Sequence, residues 1–239
     1  MFFNLSNKRK IYNKNLLINN SYKKSQQIFK NYSKSYYLGA HFFFYDKFKH
    51  ICALYSFLRI IDNIVDGNLK LEVKKEKLDN FKNKFLKCYV EILNNRINNE
   101  MINIIYKYKW EEYDSCILAI FITFYYLKVD KNILLKFFKS MEMDLYKFKY
   151  SSQEELLEYM DGSAGIVGEI MYLIMLNDRN NWSKEINESA KNLGYAFQMT
   201  NFIRDFKEDF DMEPKRIYLP SLINFYNNNI LYNLCFQNN

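Results

Sequence analysis

Leu54, Leu58, Ile61 and Val65 recur at intervals of four, three and four residues, the spacing of one face of an α-helix. That period runs through most of the chain, and no stretch shows the strict polar–apolar alternation of a half-buried strand. Six glycines and two prolines among 239 residues are too few breakers for a loop-rich or β-rich fold. The pattern predicts helices over 45–66, 71–95, 98–109, 112–127, 130–147, 153–176, 183–210 and 221–233. The expected fold class is therefore all-α. No fixed-period repeat appears, and no linker divides the chain. We expect a basic arm over residues 1–30 and one helical domain over 31–239.

Charge and cysteine usage narrow the function classes. The net charge is +7, with lysines scattered rather than gathered into a stripe. This argues against a nucleic-acid partner and leaves anionic small molecules or a membrane surface. Residues 1–30 hold seven Lys/Arg and no acid, which reads as a plain arm, with an organellar targeting leader as the alternative. Cys52, Cys88, Cys116 and Cys235 are far apart and form no CxxC pair. A reduced, cytoplasmic protein, peripheral on a membrane at most, is the expectation. His41 and His50 are too few for a metal site and are expected at the surface or in helix packing. The longest apolar run, ILAIFITFYYL at 117–127, is too short to span a bilayer and fits a buried helix.

The chemistry lies in a second stripe beside the first. Tyr55, Arg59, Asp62 and Asp66 repeat at four, three and four, shifted one residue from the apolar set. At 100° per residue the two stripes lie side by side, so one packs and the other lines something. An isolated DxxxD is usually a solvated edge. Here the design recurs: Gln198, Asn201, Asp205 and Asp209 repeat at three, four and four beside Met199, Phe202, Phe206 and Phe210. Four carboxylates and an amide oxygen form a hard-oxygen set suited to Mg²⁺, with Mn²⁺ as a substitute, and such a set holds phosphates through the ion. Arg59 and Arg204 stand within a helical turn of these acids, and guanidinium groups grip phosphate bidentately. The two walls together read as a metal–diphosphate site.

These residues carry a resemblance. The stretch SKSYYLGAHFFFYDKFKHICALYSFLRIIDNIVDG (33–67) resembles the first signature of the squalene/phytoene synthase family. MEMDLYKFKYSSQEELLEYMDGSAGIVGEIM (141–171) is similar to its central segment. AKNLGYAFQMTNFIRDFKEDF (190–210) with RIYLP (216–220) resembles its second signature. The resemblance implies a single isoprenoid-synthase-like helical domain around a central cavity, and head-to-head condensation of two prenyl diphosphates. It implies Asp62 and Asp66 as one metal-binding pair, and Asn201, Asp205 and Asp209 as the other set. Ser33, Lys34, Ser35, Tyr55, Arg59, Gln198 and Arg204 match substrate-contacting positions. Asp144 and Tyr159 match family positions read as structural or cavity-lining. Farnesyl or geranylgeranyl diphosphate would be the substrate, giving a C30 or a C40 product.

Three positions depart from the family pattern. Asn63 replaces an acid beside Asp62 but lies off the Asp62/Asp66 face. Lys149 stands where the family often has Arg, keeping charge and losing the fork. Past RIYLP the family continues with helices that close the cavity, whereas this chain has an Asn-rich ending; those C-terminal helices are expected to be missing. That ending supports an alternative, a non-catalytic homologue acting in complex assembly or at a membrane surface, while the retained acids and arginines oppose it. A chain-elongating prenyltransferase or terpene cyclase would share the aspartates but not the paired QMTNFIRDFKED and RIYLP blocks. The spacing of Gly162, Gly165 and Gly168 admits either close helix packing or room for an isoprenoid chain. Gly67 is expected to end the helix that carries DNIVDG.

Overall fold

The computed structural model describes residues 2–95, 100–110, 113–176, 178–212 and 214–220. The expected helix 221–233 lies outside them. The chain divides into two compact units, 1–130 and 131–239. Among the described residues the regular structure is helical, apart from one isolated bridge between Lys149 and Ile217. The all-α expectation holds.

The first unit contains α1 (Phe2–Tyr32), α2 (Lys34–Ala40), α3 (Tyr45–Asp66), α4 (Leu71–Asn94), α5 (Met101–Lys107) and α6 (Asp114–Tyr126). The stretch expected as a basic arm is thus helical. Its second half packs on the core: Ser21, Tyr22, Ser25 and Phe29 are buried, and the Ser21 hydroxyl accepts the Ala119 N–H of α6 at 2.9 Å. The apolar run expected as a buried helix is α6, buried from Cys116 through Phe121. Phe85 of α4 stacks on Phe121 at 4.5 Å, and Phe57 of α3 meets both Phe85 and Phe124 at 5.0 Å. Polar ends in this aromatic core are satisfied. Tyr89 donates to the Phe124 and Val129 carbonyls at 3.0 and 2.8 Å, and Trp110 donates to the Ile105 carbonyl at 2.8 Å. Burying a tyrosine or tryptophan requires such partners.

Of the two histidines, His50 is a packing residue. It is buried, stacks on Tyr126 at 5.1 Å, and shares a hydrogen bond with Thr123 at 2.8 Å. His41 is exposed, with Nδ1 2.8 Å from the Tyr37 carbonyl oxygen. Burial, with Lys49 and Lys47 adding to it, pushes the His50 imidazole down to about 4. The unfolded chain then binds a proton between pH 6.5 and 4 that the folded chain refuses, so stability falls as pH drops through that window. Moving from pH 7 to pH 5 should cost about 2 kcal/mol at this residue. Urea titrations at both pH values check it: relative to the parent, His50→Gln should lose about 2 kcal/mol less on moving from pH 7 to pH 5, and an identical pH dependence in the two proteins would refute the assignment. Cys52, Cys88 and Cys116 are buried free thiols, and burial raises them to about 12, 12 and 11.

The second unit contains α7 (Lys131–Tyr146), α8 (Gln153–Met160), a π-helical turn (Asp161–Gly165), α9 (Ile166–Met175), a 3₁₀ turn (Arg179–Asn181), α10 (Lys184–Arg204) and α11 (Phe206–Asp211). The expected helix 153–176 is therefore split by the turn DGSAG, and 183–210 bends at Asp205. The glycines answer the question their spacing raised. A Cβ on Gly162 would lie 2.4 Å from the Lys136 carbonyl oxygen of α7, and one on Gly165 2.7 Å from the Tyr195 ring. They let α7 and α10 approach the turn closely; they are packing residues. Asp161 ties the same three elements. Burial works to raise its carboxyl, yet hydrogen bonds from Lys191 and Lys136 at 2.9 Å each and from Tyr195 at 2.8 Å hold it at about 2.

Candidate active site

On α3 the apolar stripe is inside as its period requires: Leu54, Ile61 and Val65 are buried, and Leu58 is half-buried. The polar stripe beside it is half out. Tyr55, Arg59 and Asp62 are half-buried and Asp66 is exposed. Tyr55 stacks on Phe29 of α1 at 4.2 Å, with its hydroxyl near Ser33. Burial raises that hydroxyl, with Arg59 opposing and Asp62 assisting. Arg59 lays its guanidinium 4.2 Å over the Tyr32 ring. Its Nε is buried and has no hydrogen-bond partner. Burial, and then the neighbouring Asp66 charge, push the Asp62 carboxyl up to about 7 against the pull of Arg59.

Ser33 caps the start of α2 with its backbone: its carbonyl accepts the Tyr37 N–H at 2.9 Å, and its side chain makes no cap bond. Lys34 and Ser35 follow in the first turn, both exposed. Three substrate-contact candidates, Ser33, Tyr55 and Arg59, thus meet around the end of α1. Sequence reasoning missed two partners there, Phe29 and Tyr32. Their signal was weak: Phe29 falls in the stretch read as an arm, and Tyr32 stands just beyond it.

Gly67 ends α3 as expected, but with φ −58° it does not use a left-handed conformation. Its role is close approach, since a Cβ there would lie 2.7 Å from the Asn63 carbonyl oxygen.

In the second unit, Gln198, Asn201, Asp205 and Asp209 are all half-buried. The backbone ladder runs through the bend: the Asp205 N–H donates to Asn201 at 2.8 Å, and the Asp209 N–H to Asp205 at 2.9 Å. Asp205 itself leaves helical geometry at φ −93°, ψ 5°. Arg204 then forks onto its carboxylate, Nε and Nη2 each 2.6 Å from an oxygen. The RIYLP segment is tied to this bend. Arg216 N–H donates to the Asp209 carbonyl at 2.9 Å, and Ile217 exchanges backbone bonds with Phe148 and Tyr150 at 2.7 and 3.3 Å. Lys149, one of the family departures, lies exposed on that bridge. Below it Tyr159 donates to the buried Asp144 at 2.8 Å, and Phe202 stacks on Tyr218 at 4.3 Å. Asp144 and Tyr159 therefore support the bend from inside.

The residues present fit a divalent cation and an anion. Two carboxylates stand one turn apart, and burial with the Asp66 charge pushes Asp62 up to about 7, which a bound cation would relieve. A buried guanidinium nitrogen without an acceptor suits a phosphate oxygen. Among the described residues no three His, Cys, Asp or Glu side chains gather at metal-holding distance. Mg²⁺ does not need them, since it keeps waters and uses one or two carboxylates with substrate phosphates.

Comparison with known proteins bears on the family. The chain is 28% identical over 207 residues to phytoene synthase 2, chloroplastic, of Oryza sativa subsp. japonica, covering 86% of this chain and 47% of that protein. It is 27% identical over 211 residues to 15-cis-phytoene synthase of Synechococcus elongatus, covering 85% of this chain and 62% of that one. It thus spans about half the length of the curated relatives it matches. A solved complex of TcSQS with the ligand BPH1237 shares the fold at TM-score 0.59 and 19% identity, over 83% of this chain and 57% of that one. The family model for squalene/phytoene synthases matches residues 29–224, from the end of α1 to just beyond RIYLP. Both aspartate-bearing helices fall within that match, and the chain belongs to the squalene/phytoene synthase family.

Proposed function

We propose that the chain catalyses Mg²⁺-dependent head-to-head condensation of two prenyl diphosphates, from geranylgeranyl diphosphate to a phytoene-type C40 product or from farnesyl diphosphate to a squalene-type C30 product. The observation that carries this reading is the α3 stripe. It presents two carboxylates one turn apart, Asp62 raised to about 7 by burial and by Asp66, within a turn of an arginine whose buried Nε lacks an acceptor.

Asp62 and Asp66 of the first unit would hold Mg²⁺, and Asn201, Asp205 and Asp209 of the second unit form a further oxygen set for it. The ion supplies positive charge to the departing pyrophosphate. Arg59 donates to diphosphate oxygens from its perch on Tyr32, and the Tyr55 and Ser33 hydroxyls offer further donors to the same group. Arg204 adds a second guanidinium by exchanging its Asp205 fork for phosphate. Loss of pyrophosphate leaves an allylic cation, which the double bond of the second chain attacks to give a cyclopropylcarbinyl diphosphate. A second ionisation and rearrangement yield the linear hydrocarbon, with pyrophosphate accepting the final proton. These cations require walls without nucleophiles. Apolar and aromatic side chains meet that need, each ring face contributing roughly 0.5–2 kcal/mol to a nearby cation.

Incubating the purified chain with Mg²⁺ and each diphosphate tests the reading. A C30 or C40 hydrocarbon identifies the substrate. Intact Mg²⁺ binding with no turnover of either diphosphate overturns the activity for this chain.

A further inference from the structure

Between α2 and α3 the chain makes a tight, hydrogen-bonded turn. Phe42 N–H donates to Gly39 and Phe43 N–H to Ala40, at 3.2 Å each, while the Phe44 carbonyl accepts from Lys47 and Phe48 at 2.9 Å each. Aromatic contacts pin its base: His41 lies 4.6 Å and Tyr37 5.9 Å from the Phe48 ring. The turn is therefore held in shape, yet its tip faces outward. Phe42 is 89% exposed, Phe44 85%, Tyr45 77%, and Leu38 on the preceding turn 68%. Isolated exposed apolar side chains are ordinary; a contiguous cluster on a fixed turn marks a surface made to be covered.

The surrounding charge indicates what covers it. Residues 30–50 carry Lys30, Lys34, Lys47 and Lys49 against the single acid Asp46; Lys30 and Lys34 are exposed, while Lys47 and Lys49 are half-buried, Lys49 lying 5.7 Å over the Tyr22 ring. Apolar rings projecting from a basic rim complement a layer with a hydrocarbon interior and anionic headgroups. A protein partner or a second copy would need acids facing those lysines. Among the described residues no helix is long and apolar enough to cross a membrane, so the contact would be interfacial. We infer that the 42–45 turn is a lipid-docking wedge, with Phe42 and Phe44 entering the acyl boundary, Tyr45 at headgroup level and the lysines on anionic headgroups. This goes beyond the proposed condensation and does not depend on it.

Co-sedimentation of the full chain with vesicles tests this without any substrate. Binding should be strong on phosphatidylcholine containing phosphatidylglycerol and weaker on phosphatidylcholine alone. Phe42→Ser with Phe44→Ser should weaken it by roughly tenfold or more, since each ring loses its transfer into hydrocarbon. Both side chains are exposed, so the variant's circular dichroism should match the parent's. Absent vesicle binding, equal binding by the variant, or a parent dimer that the variant dissolves without any vesicle binding would each overturn the wedge.

Discussion

Asp62→Asn should abolish condensation while making the ion-free protein more stable. The opposed signs follow from one cause. Burial and the Asp66 charge hold the Asp62 carboxyl at about 7, above its ordinary value. The folded chain therefore keeps a proton between pH 4 and 7 that the unfolded chain releases, and stability falls as pH rises through that window. At pH 8 without Mg²⁺ the whole penalty is present. Asparagine removes it, for a gain on the order of 2 kcal/mol. The same change takes a charge from the proposed ion site, and turnover should drop by on the order of 10²–10³ or more. Asp205→Asn separates the two effects differently. Its carboxylate forks with an exposed Arg204, and such pairs contribute little to stability, so it should lose turnover at unchanged stability. Urea titration in EDTA and product analysis in Mg²⁺ check both variants. Full turnover in either one would remove that residue from the proposed ion site.

How much of this was readable beforehand depended on what each helix packs against. α3 and α4 begin and end within a residue of their expected bounds, because their buried faces are leucine, isoleucine and phenylalanine at helical period. α1 was invisible as a packing helix because its buried face is different. Ser21 and Ser25 lie inside, with Ser21 capping an α6 N–H and the Ser25 carbonyl accepting from Ser56 at 3.2 Å. A hydrophobic period does not register a seam made of small hydroxyls. The bend at Asp205 was hidden for a subtler reason. The i to i−4 bonds continue across it, so the 3.6 pattern of Phe202, Phe206 and Phe210 continues too. The Arg204–Asp205 fork could not be foreseen, since neighbours in a regular helix do not face each other; it exists because Asp205 leaves helical geometry. The aspartate stripes were legible because charge recurs at helical spacing beside an apolar face, where packing alone would not place it.

Gly168→Val should destabilise the protein by about 3 kcal/mol, at the upper end of what overpacking produces. A Cβ at Gly168 would lie 2.1 Å from the Ala190 carbonyl oxygen and 3.2 Å from the Lys191 Cα. Both are backbone atoms of α10, so no side chain can swing aside. Gly194 returns the contact, with a Cβ there lying 2.4 Å from the Ala164 carbonyl oxygen. α9 and its π-helical turn therefore lie backbone to backbone against α10 along a seam that only glycine permits, and a valine must part the helices. Parting them also moves the helix that carries Asn201 and ends at Asp205, so turnover should fall with stability rather than after it. Gly39→Ala supplies the opposite sign. Nothing lies within 4 Å of its Cβ position in α2, and alanine there should add roughly 0.5–1 kcal/mol from helix propensity alone. Urea denaturation of the two variants side by side decides the matter: a loss at Gly168 no larger than the gain at Gly39 would mean that the α9–α10 seam is not a close contact.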